Sequence, residues 1–156
     1  MIPPSPGFDT VSRKLADGAA LAPGGHARPS GPVALLAWVF ELPTAALVAA
    51  LEASASDQRL VAAVPDDETF RTLRGARPAV PFADRLHLAA AFRCVDRVTP
   101  WRREDLASLA ALLAPGIVLL DPALRVGPAP DPPCRRLDPP VLTAEAHLVA
   151  EMRRTR

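Results

Sequence analysis

The residues most suited to chemistry in this sequence are three arginines close together in the chain, Arg74, Arg77 and Arg85. A guanidinium group presents a planar fork of N–H donors that matches the oxygens of phosphate. The cluster is therefore a candidate anion site. The alternative is a set of solvated or ion-paired arginines, because nearly all basic residues of the chain are arginine and exposed ion pairs are common and weak. From the sequence alone, both interpretations stay open.

The other residue types that support chemistry form no catalytic or metal-binding pattern. His26 lies in a loop rich in glycine and proline, and His87 and His147 fall on helical patterns without a partner at metal-ligand spacing. Cys94 and Cys134 also lack metal-type spacing and are predicted to be free thiols. We therefore predict no metal site and no bound cofactor.

An acidic run, Asp66-Asp67-Glu68, follows the second long apolar run of the chain. Three adjacent acids can bind a cation. More often they cap the N-terminus of a helix, because negative side chains interact favourably with its dipole. We expect the second role.

Continuous apolar runs alternate with amphipathic stretches along the chain. The runs predict buried strands at residues 33–40, 60–64, 95–98 and 117–120. The amphipathic stretches predict helices at residues 9–21, 44–54, 82–93 and 104–114. Strands separated by helices of this length indicate right-handed βαβ units. The predicted fold is a Rossmann-like, doubly wound α/β domain with a mainly parallel, five-stranded sheet, in which 33–40 is central and 60–64 lies beside it.

The rest of the chain completes one predicted domain spanning residues 1–156. Residues 121–140 are rich in proline and predict an extended connector, and residues 141–156 predict a C-terminal helix. The net charge of +1 creates no field that attracts nucleic acid or a membrane surface. The longest apolar run is too short to span a bilayer, and no leader opens the chain. We expect a soluble, cytoplasmic protein that binds neither nucleic acid nor membrane.

The end of the first predicted strand reads FELPTAAL at residues 40–47. This segment resembles the cytidylyltransferase-like nucleotidyltransferase superfamily, of heptose 1-phosphate adenylyltransferase or glycerol-3-phosphate cytidylyltransferase type. In that family a phenylalanine-aspartate pair precedes two histidines and a glycine at a helix N-terminus, where they hold the triphosphate. Here Phe40 is kept, Glu41 replaces the aspartate, Thr44 and Leu47 fall at the histidine positions, and Ala46 falls at the glycine. Neither replacement of a histidine can carry a positive charge, so the resemblance implies a degenerate catalytic motif.

Later segments keep more of the family pattern. Arg74-Gly75, Arg77-Pro78 and Asp84-Arg85 match a lysine-glycine loop, an arginine-proline pair and an aspartate-arginine pair. The lysine, two glycines and aspartate that follow the last strand in the family are replaced by LLDPAL at residues 119–124, and the C-terminal serine- and threonine-rich helix start is reduced to LTA at 142–144. The resemblance implies these candidates for binding nucleotide or phosphate: Phe40, Glu41, Asp67, Arg74, Arg77, Arg85 and Thr143.

Two functional classes follow from this pattern. The first is a non-catalytic binding or partner protein on a retained scaffold, a homodimer as relatives often are or bound to another protein, with weak affinity for phosphate or nucleotide. The second is a divergent enzyme that moves AMP or CMP from a nucleoside triphosphate to a sugar or polyol phosphate, using Glu41, Thr44 and Arg74 with Mg²⁺. Loss of one charge-stabilising donor costs about 10²–10³ in rate, which favours the first class. The discriminating feature is whether Leu47, Leu120 and Pro122 fill the pocket above the strand ends, where such folds bind ligands.

Overall fold

The structure, a computed structural model, describes residues 11–42, 44–55, 57–102, 106–121 and 133–136. In these ranges the helices are α1 (Gly18–Leu21), α2 (Ala45–Ser54), α3 (Asp67–Arg74), α4 (Phe82–Ala91) and α5 (Leu106–Leu113). The strands are β1 (Val33–Ala37), β2 (Arg59–Pro65), β3 (Val95–Trp101), β4 (Ile117–Leu120) and β5 (Cys134–Arg136).

The strands form one parallel sheet in the order β3-β2-β1-β4-β5. Every residue of β1 is buried, as expected for a parallel strand covered on both faces. The predicted Rossmann-like, parallel α/β fold is confirmed, and so is the adjacency of β1 and β2. The strand order reverses between β1 and β4, because β2 and β3 extend the sheet on one side of β1 while β4 and β5 extend it on the other.

The helix predicted over residues 9–21 is wrong for its middle part. Leu15 forms a parallel bridge with Val98 of β3, and the backbone on either side donates to and accepts from Val98. Helical structure resumes only at α1, whose N-cap Asp17 accepts a hydrogen bond from Ala20. The apolar spacing is compatible with a helix, but pairing with the edge of β3 satisfies these backbone groups instead.

Two further boundaries differ from the sequence prediction. The first strand ends at Ala37 instead of residue 40. The three-residue strand β5 lies inside the proline-rich stretch, which was predicted only as extended chain, and it pairs with β4 at the sheet edge, where proline-rich segments are tolerated. The rest of that connector and the C-terminal helix lie outside the described residues. Within the described part of the chain, no helix has the length and apolar character needed to cross a membrane.

Candidate functional site

The turn that follows β1 places two candidate residues against the core. Phe40 has a φ of 52°, in the left-handed region that costs a non-glycine residue about 1 kcal/mol or more. This backbone turn buries the Phe40 ring, which lies edge-on to Phe92 at 5.8 Å between centroids. The next side chain, Glu41, is also buried, and its carboxylate accepts a hydrogen bond of 2.5 Å from the Ala79 N–H. Glu41 therefore holds the loop before α4 against the end of β1, while Phe40 packs against the residue that ends α4.

The N-terminus of α2 carries the positions at which the family motif has its histidines and glycine. Thr44 is the N-cap, as predicted, and its hydroxyl accepts a hydrogen bond of 3.2 Å from the Leu47 N–H. Leu47 is fully buried, and Ala46 packs partly buried against the core. Leu120, at the end of β4, is also buried. Buried apolar side chains therefore occupy the second histidine position of the motif and the end of β4.

Arg74 and Asp121 form an ion pair at the same end of the sheet. Their side chains lie 2.9 Å apart, with the Asp121 side chain fully buried and the Arg74 side chain 21% exposed. The Asp121 N–H donates to the carbonyl of Ala37, so Asp121 continues the β4 ladder beyond the end of β1. We call the region of Thr44, Leu47, Arg74, Leu120 and Asp121 the β1/β4 site.

Arg85, the third arginine of the predicted cluster, is bonded inside the protein. Its side chain is fully buried and donates to the carbonyls of Pro65 at 2.7 Å, Val80 at 3.1 Å and Val39 at 3.4 Å. It also pairs with Asp67 at 2.7 Å. Four of the five N–H donors of a guanidinium are therefore used inside the protein. The predicted anion cluster is corrected at Arg85, whose guanidinium joins the ends of β1 and β2 to α4.

Arg77 lines a cavity of about 320 Å³ beside α3. Its polar lining also includes Asp67 and Arg71, which lie one turn apart on the same face of α3. Arg71 and Arg77 are both exposed. We call this space the arginine cavity. Its lining residues are Asp67, Arg71, Arg77, Pro78, Ala79 and Pro81.

A second cavity, of about 390 Å³, lies at the opposite end of the sheet. Open parallel sheets bind ligands outside the carboxyl ends of their strands. Although this second cavity is somewhat larger, its position at the amino end of β2 makes the arginine cavity the better candidate. The lining residues of this second cavity are Ser30, Pro32, Ala55, Asp57, Gln58 and Arg59.

The acidic run caps α3 instead of forming a cation site. The Asp66 carboxylate accepts a hydrogen bond of 2.7 Å from the Thr69 N–H, while Asp67 and Glu68 occupy the first turn. The residues that the structure describes contain no group of three His, Cys, Asp or Glu side chains able to hold a metal ion. The expected capping role is therefore confirmed.

The resolved pKa shifts lie at the other end of the sheet. Burial lowers the pKa of Lys14, whose ammonium donates to the carbonyl of Phe92 at 2.8 Å. Burial also raises the pKa of Cys94, just before β3, and keeps its thiol protonated. Neither group is a reactive centre at the carboxyl ends of the strands.

Comparison with known proteins decides the relationship. No protein-family model matches the chain. The bifunctional protein HldE of Hydrogenovibrio crunogenus is 41% identical over 69 residues, which are 44% of this chain and 14% of the length of that protein. The crystal structure of the lipopolysaccharide core biosynthesis protein from Thermoplasma volcanium GSS1 matches with a TM-score of 0.60 over 69% of this chain and 96% of its own, at 20% identity, which shows a shared fold. The resemblance to the cytidylyltransferase-like nucleotidyltransferases is confirmed.

The positions of the family motif fall at the corresponding places of this fold, where this chain has other side chains. Thr44 and Leu47 do occupy the start of the helix after β1, the place where the motif has its histidines. Glu41, Asp67 and Arg74 are all engaged in hydrogen bonds within the protein. Thr143 lies outside the described residues.

Sequence analysis missed two residues of these sites. Arg71 follows Asp67 by four positions on a predicted helix start, so helical spacing could have placed it beside that carboxylate. Asp121 was seen only as part of a lost glycine motif. A single acid directly after a buried strand was the available signal, but its partner Arg74 is 47 residues away in sequence.

Proposed function

We propose that this chain is a catalytically degenerate nucleotidyltransferase-like protein that acts by binding a ligand or a partner on the retained scaffold. The observation that carries the proposal is the apolar closure of the β1/β4 site. Leu47 is fully buried and Leu120 is 3% exposed, at positions where the family resemblance implies a histidine and a lysine. Neither leucine offers a positive charge or a proton to a triphosphate.

The energetics of nucleotidyl transfer support the same conclusion. Transfer at phosphorus relies almost wholly on positioning and on electrostatic stabilisation of the developing charge. Burying a triphosphate against Leu47 and Leu120 would leave its charge unpaired, at a cost of several kcal/mol. The Asp121 carboxylate also neutralises Arg74, a cation that could otherwise receive phosphate there. Binding and catalysis are both disfavoured there.

The arginine cavity supports a remaining role in binding. Arg71 and Arg77 are exposed and line the cavity together with residues of the loop before α4. Guanidinium groups suit phosphate oxygens. We infer a weak site for phosphate or for the phosphates of a nucleotide, limited by the nearby carboxylate of Asp67.

Pyrophosphate release tests the loss of catalysis. The purified protein should release no pyrophosphate from ATP or CTP with Mg²⁺, in the presence of heptose 1-phosphate or glycerol 3-phosphate. An active heptose 1-phosphate adenylyltransferase assayed in parallel serves as the control. The triple variant Thr44→His, Ala46→Gly, Leu47→His should also stay below full activity, because the segment after β4 remains altered.

Robust pyrophosphate release by the unmodified protein would instead support a divergent enzyme. Loss of that release in Glu41→Gln or Arg74→Gln would identify the residues responsible. In this alternative Mg²⁺ would enter with the nucleotide, bound mainly by its phosphates, because the described residues hold no ready-made set of metal ligands.

Three further parts of the proposal concern the whole protein. We propose a single cytoplasmic domain whose residues 141–156 form a helix after the proline-rich connector. We also propose that the scaffold works through a second copy of itself or another protein. Light scattering coupled to gel filtration measures the first option directly, since a homodimer doubles the mass of the 156-residue chain.

A further inference from the structure

Arg74 and Asp121 reach each other from opposite sides of the central strand. Arg74 is the last residue of α3, the helix after β2, whereas Asp121 directly follows β4. Because β1 lies between β2 and β4, their 2.9 Å contact crosses the carboxyl end of β1. That end is the point where the strand order reverses, which is the usual ligand position in an open parallel sheet.

The guanidinium of Arg74 is only partly used by this contact. Its Nη2 atom donates to Asp121, while its buried Nε atom has no hydrogen-bond partner among the described residues. Adjacent Nε–H and Nη2–H groups are the pair of donors that binds two oxygens of one phosphate. In Arg74, the Nε–H donor without a partner in the described part of the chain therefore lies beside the Nη2 donor that binds Asp121.

The N-terminus of α2 is filled from within the chain as well. Its Leu47 N–H is bound by the hydroxyl oxygen of Thr44 at 3.2 Å. Backbone N–H groups at a helix start bind anions when no side chain occupies them. At two donors of the β1/β4 site, an oxygen of the protein thus takes the position that an oxygen of an anionic ligand would take.

We propose that the Asp121 carboxylate is an internal substitute for a ligand phosphate, so that the β1/β4 site is an anion site filled by the chain itself. The inference rests on the proposed loss of catalysis and gives it a cause. A carboxylate fixed on Arg74 neutralises the cation and repels a second anion. With the negative charge of that carboxylate removed, the Arg74 guanidinium becomes available to a compact polyphosphate such as pyrophosphate.

Isothermal titration with inorganic pyrophosphate tests the proposal on the full chain. Asp121→Asn keeps the shape of the side chain and removes its charge. It should bind pyrophosphate at least about tenfold more tightly than the unmodified protein, a difference of about 1.4 kcal/mol. The double variant Asp121→Asn, Arg74→Gln should lose this gain, because the cation that receives the anion is gone.

Asp57→Asn is the matched control for net charge. Asp57 is exposed at the opposite end of the sheet and lines the other cavity. The Asp57→Asn variant changes the net charge by the same amount but far from Arg74, so its affinity for pyrophosphate should equal that of the unmodified protein. Equal gains in Asp57→Asn and Asp121→Asn, or a folded Asp121→Asn variant with no gain, overturn the inference.

The unmodified protein provides a test that no folding defect can confuse. In a ¹⁵N spectrum, the Nε–H signal of Arg74 should stay in place as pyrophosphate is added, because Asp121 already holds the guanidinium. A saturable shift of that signal contradicts the inference. These outcomes are separate from the proposed function, which fails only if the unmodified protein transfers a nucleotidyl group.

Discussion

Two arginine–carboxylate pairs in this molecule use the same chemistry with opposite burial. In the Arg85–Asp67 pair the arginine is fully buried and the acid is 54% exposed. In the Arg74–Asp121 pair the acid is fully buried and the arginine is 21% exposed. The first arginine is also held by three backbone carbonyls. In each pair the buried member determines the role: Arg85 belongs to the framework, and Asp121 determines the properties of the β1/β4 site.

Removal of Arg85 should have the largest effect on stability. Arg85→Met leaves the carbonyls of Pro65, Val39 and Val80 without their donor, and unsatisfied buried polar groups are costly. We expect a loss of about 3–5 kcal/mol in the free energy of unfolding, measured by urea denaturation. Arg85→Lys, which keeps the charge but not the fork of donors, should lose less. A loss below 1 kcal/mol in Arg85→Met would remove the distinction between the two pairs.

Removal of Arg74 should rank second. Arg74→Gln leaves the buried carboxylate of Asp121 without its cation, and we expect a loss of about 2–3 kcal/mol in the free energy of unfolding. The expected loss is smaller than for Arg85 because Arg74 is partly exposed and water can reach the vacated end. Arg71→Gln, an exposed arginine on the same helix, is the matched control and should stay within about 0.5 kcal/mol.

The aromatic rings around Arg85 should contribute less to the free energy of unfolding than either ion pair. The guanidinium carbon lies 5.1 Å from the ring centre of Phe70 and 5.7 Å from that of Phe82. Phe82→Leu removes one of these two faces and should cost about 1 kcal/mol, measured by thermal or urea unfolding. In an Arg85→Met background the same substitution should cost less, since the cation is absent. Equal costs in both backgrounds would show that the ring acts only through its apolar area.

Substitution of Asp67 should change the free energy of unfolding least, because its carboxylate is half exposed whereas that of Asp121 is buried. Asp67→Asn removes a charge that is half exposed and keeps an oxygen for Arg85, whose buried guanidinium is still held by three backbone carbonyls, so we expect a loss of about 0.5 kcal/mol. Raising the salt concentration should reduce even this difference, because exposed charges are screened. A loss as large as that of Arg74→Gln would mean that exposure does not separate the two pairs.

Most strands and helices of the fold were predictable from the sequence, whereas most contacts of the candidate site were not. The parallel strands β1 and β2 were predictable because their side chains are continuously apolar, and the cap of α2 was predictable from Thr44. The role of Arg85 depends on four partners between 5 and 46 residues away, and that of Asp121 on Arg74, 47 residues away, a combination that no local pattern encodes. For the same reason residues 14–16 looked helical, although their backbone groups pair with Val98.

The segment at residues 14–16 protects one edge of the sheet from pairing with other molecules of this protein. β3 is the last strand on its side of the sheet, and a bare strand edge is a template for pairing with another chain. The N–H of Val98 donates to Lys14 at 2.8 Å, and its carbonyl accepts from Ala16 at 2.9 Å. These contacts cover the middle of β3 with the chain's own backbone. Removing the residues before Asp17 would expose that edge and allow β3 to pair with a strand of another molecule.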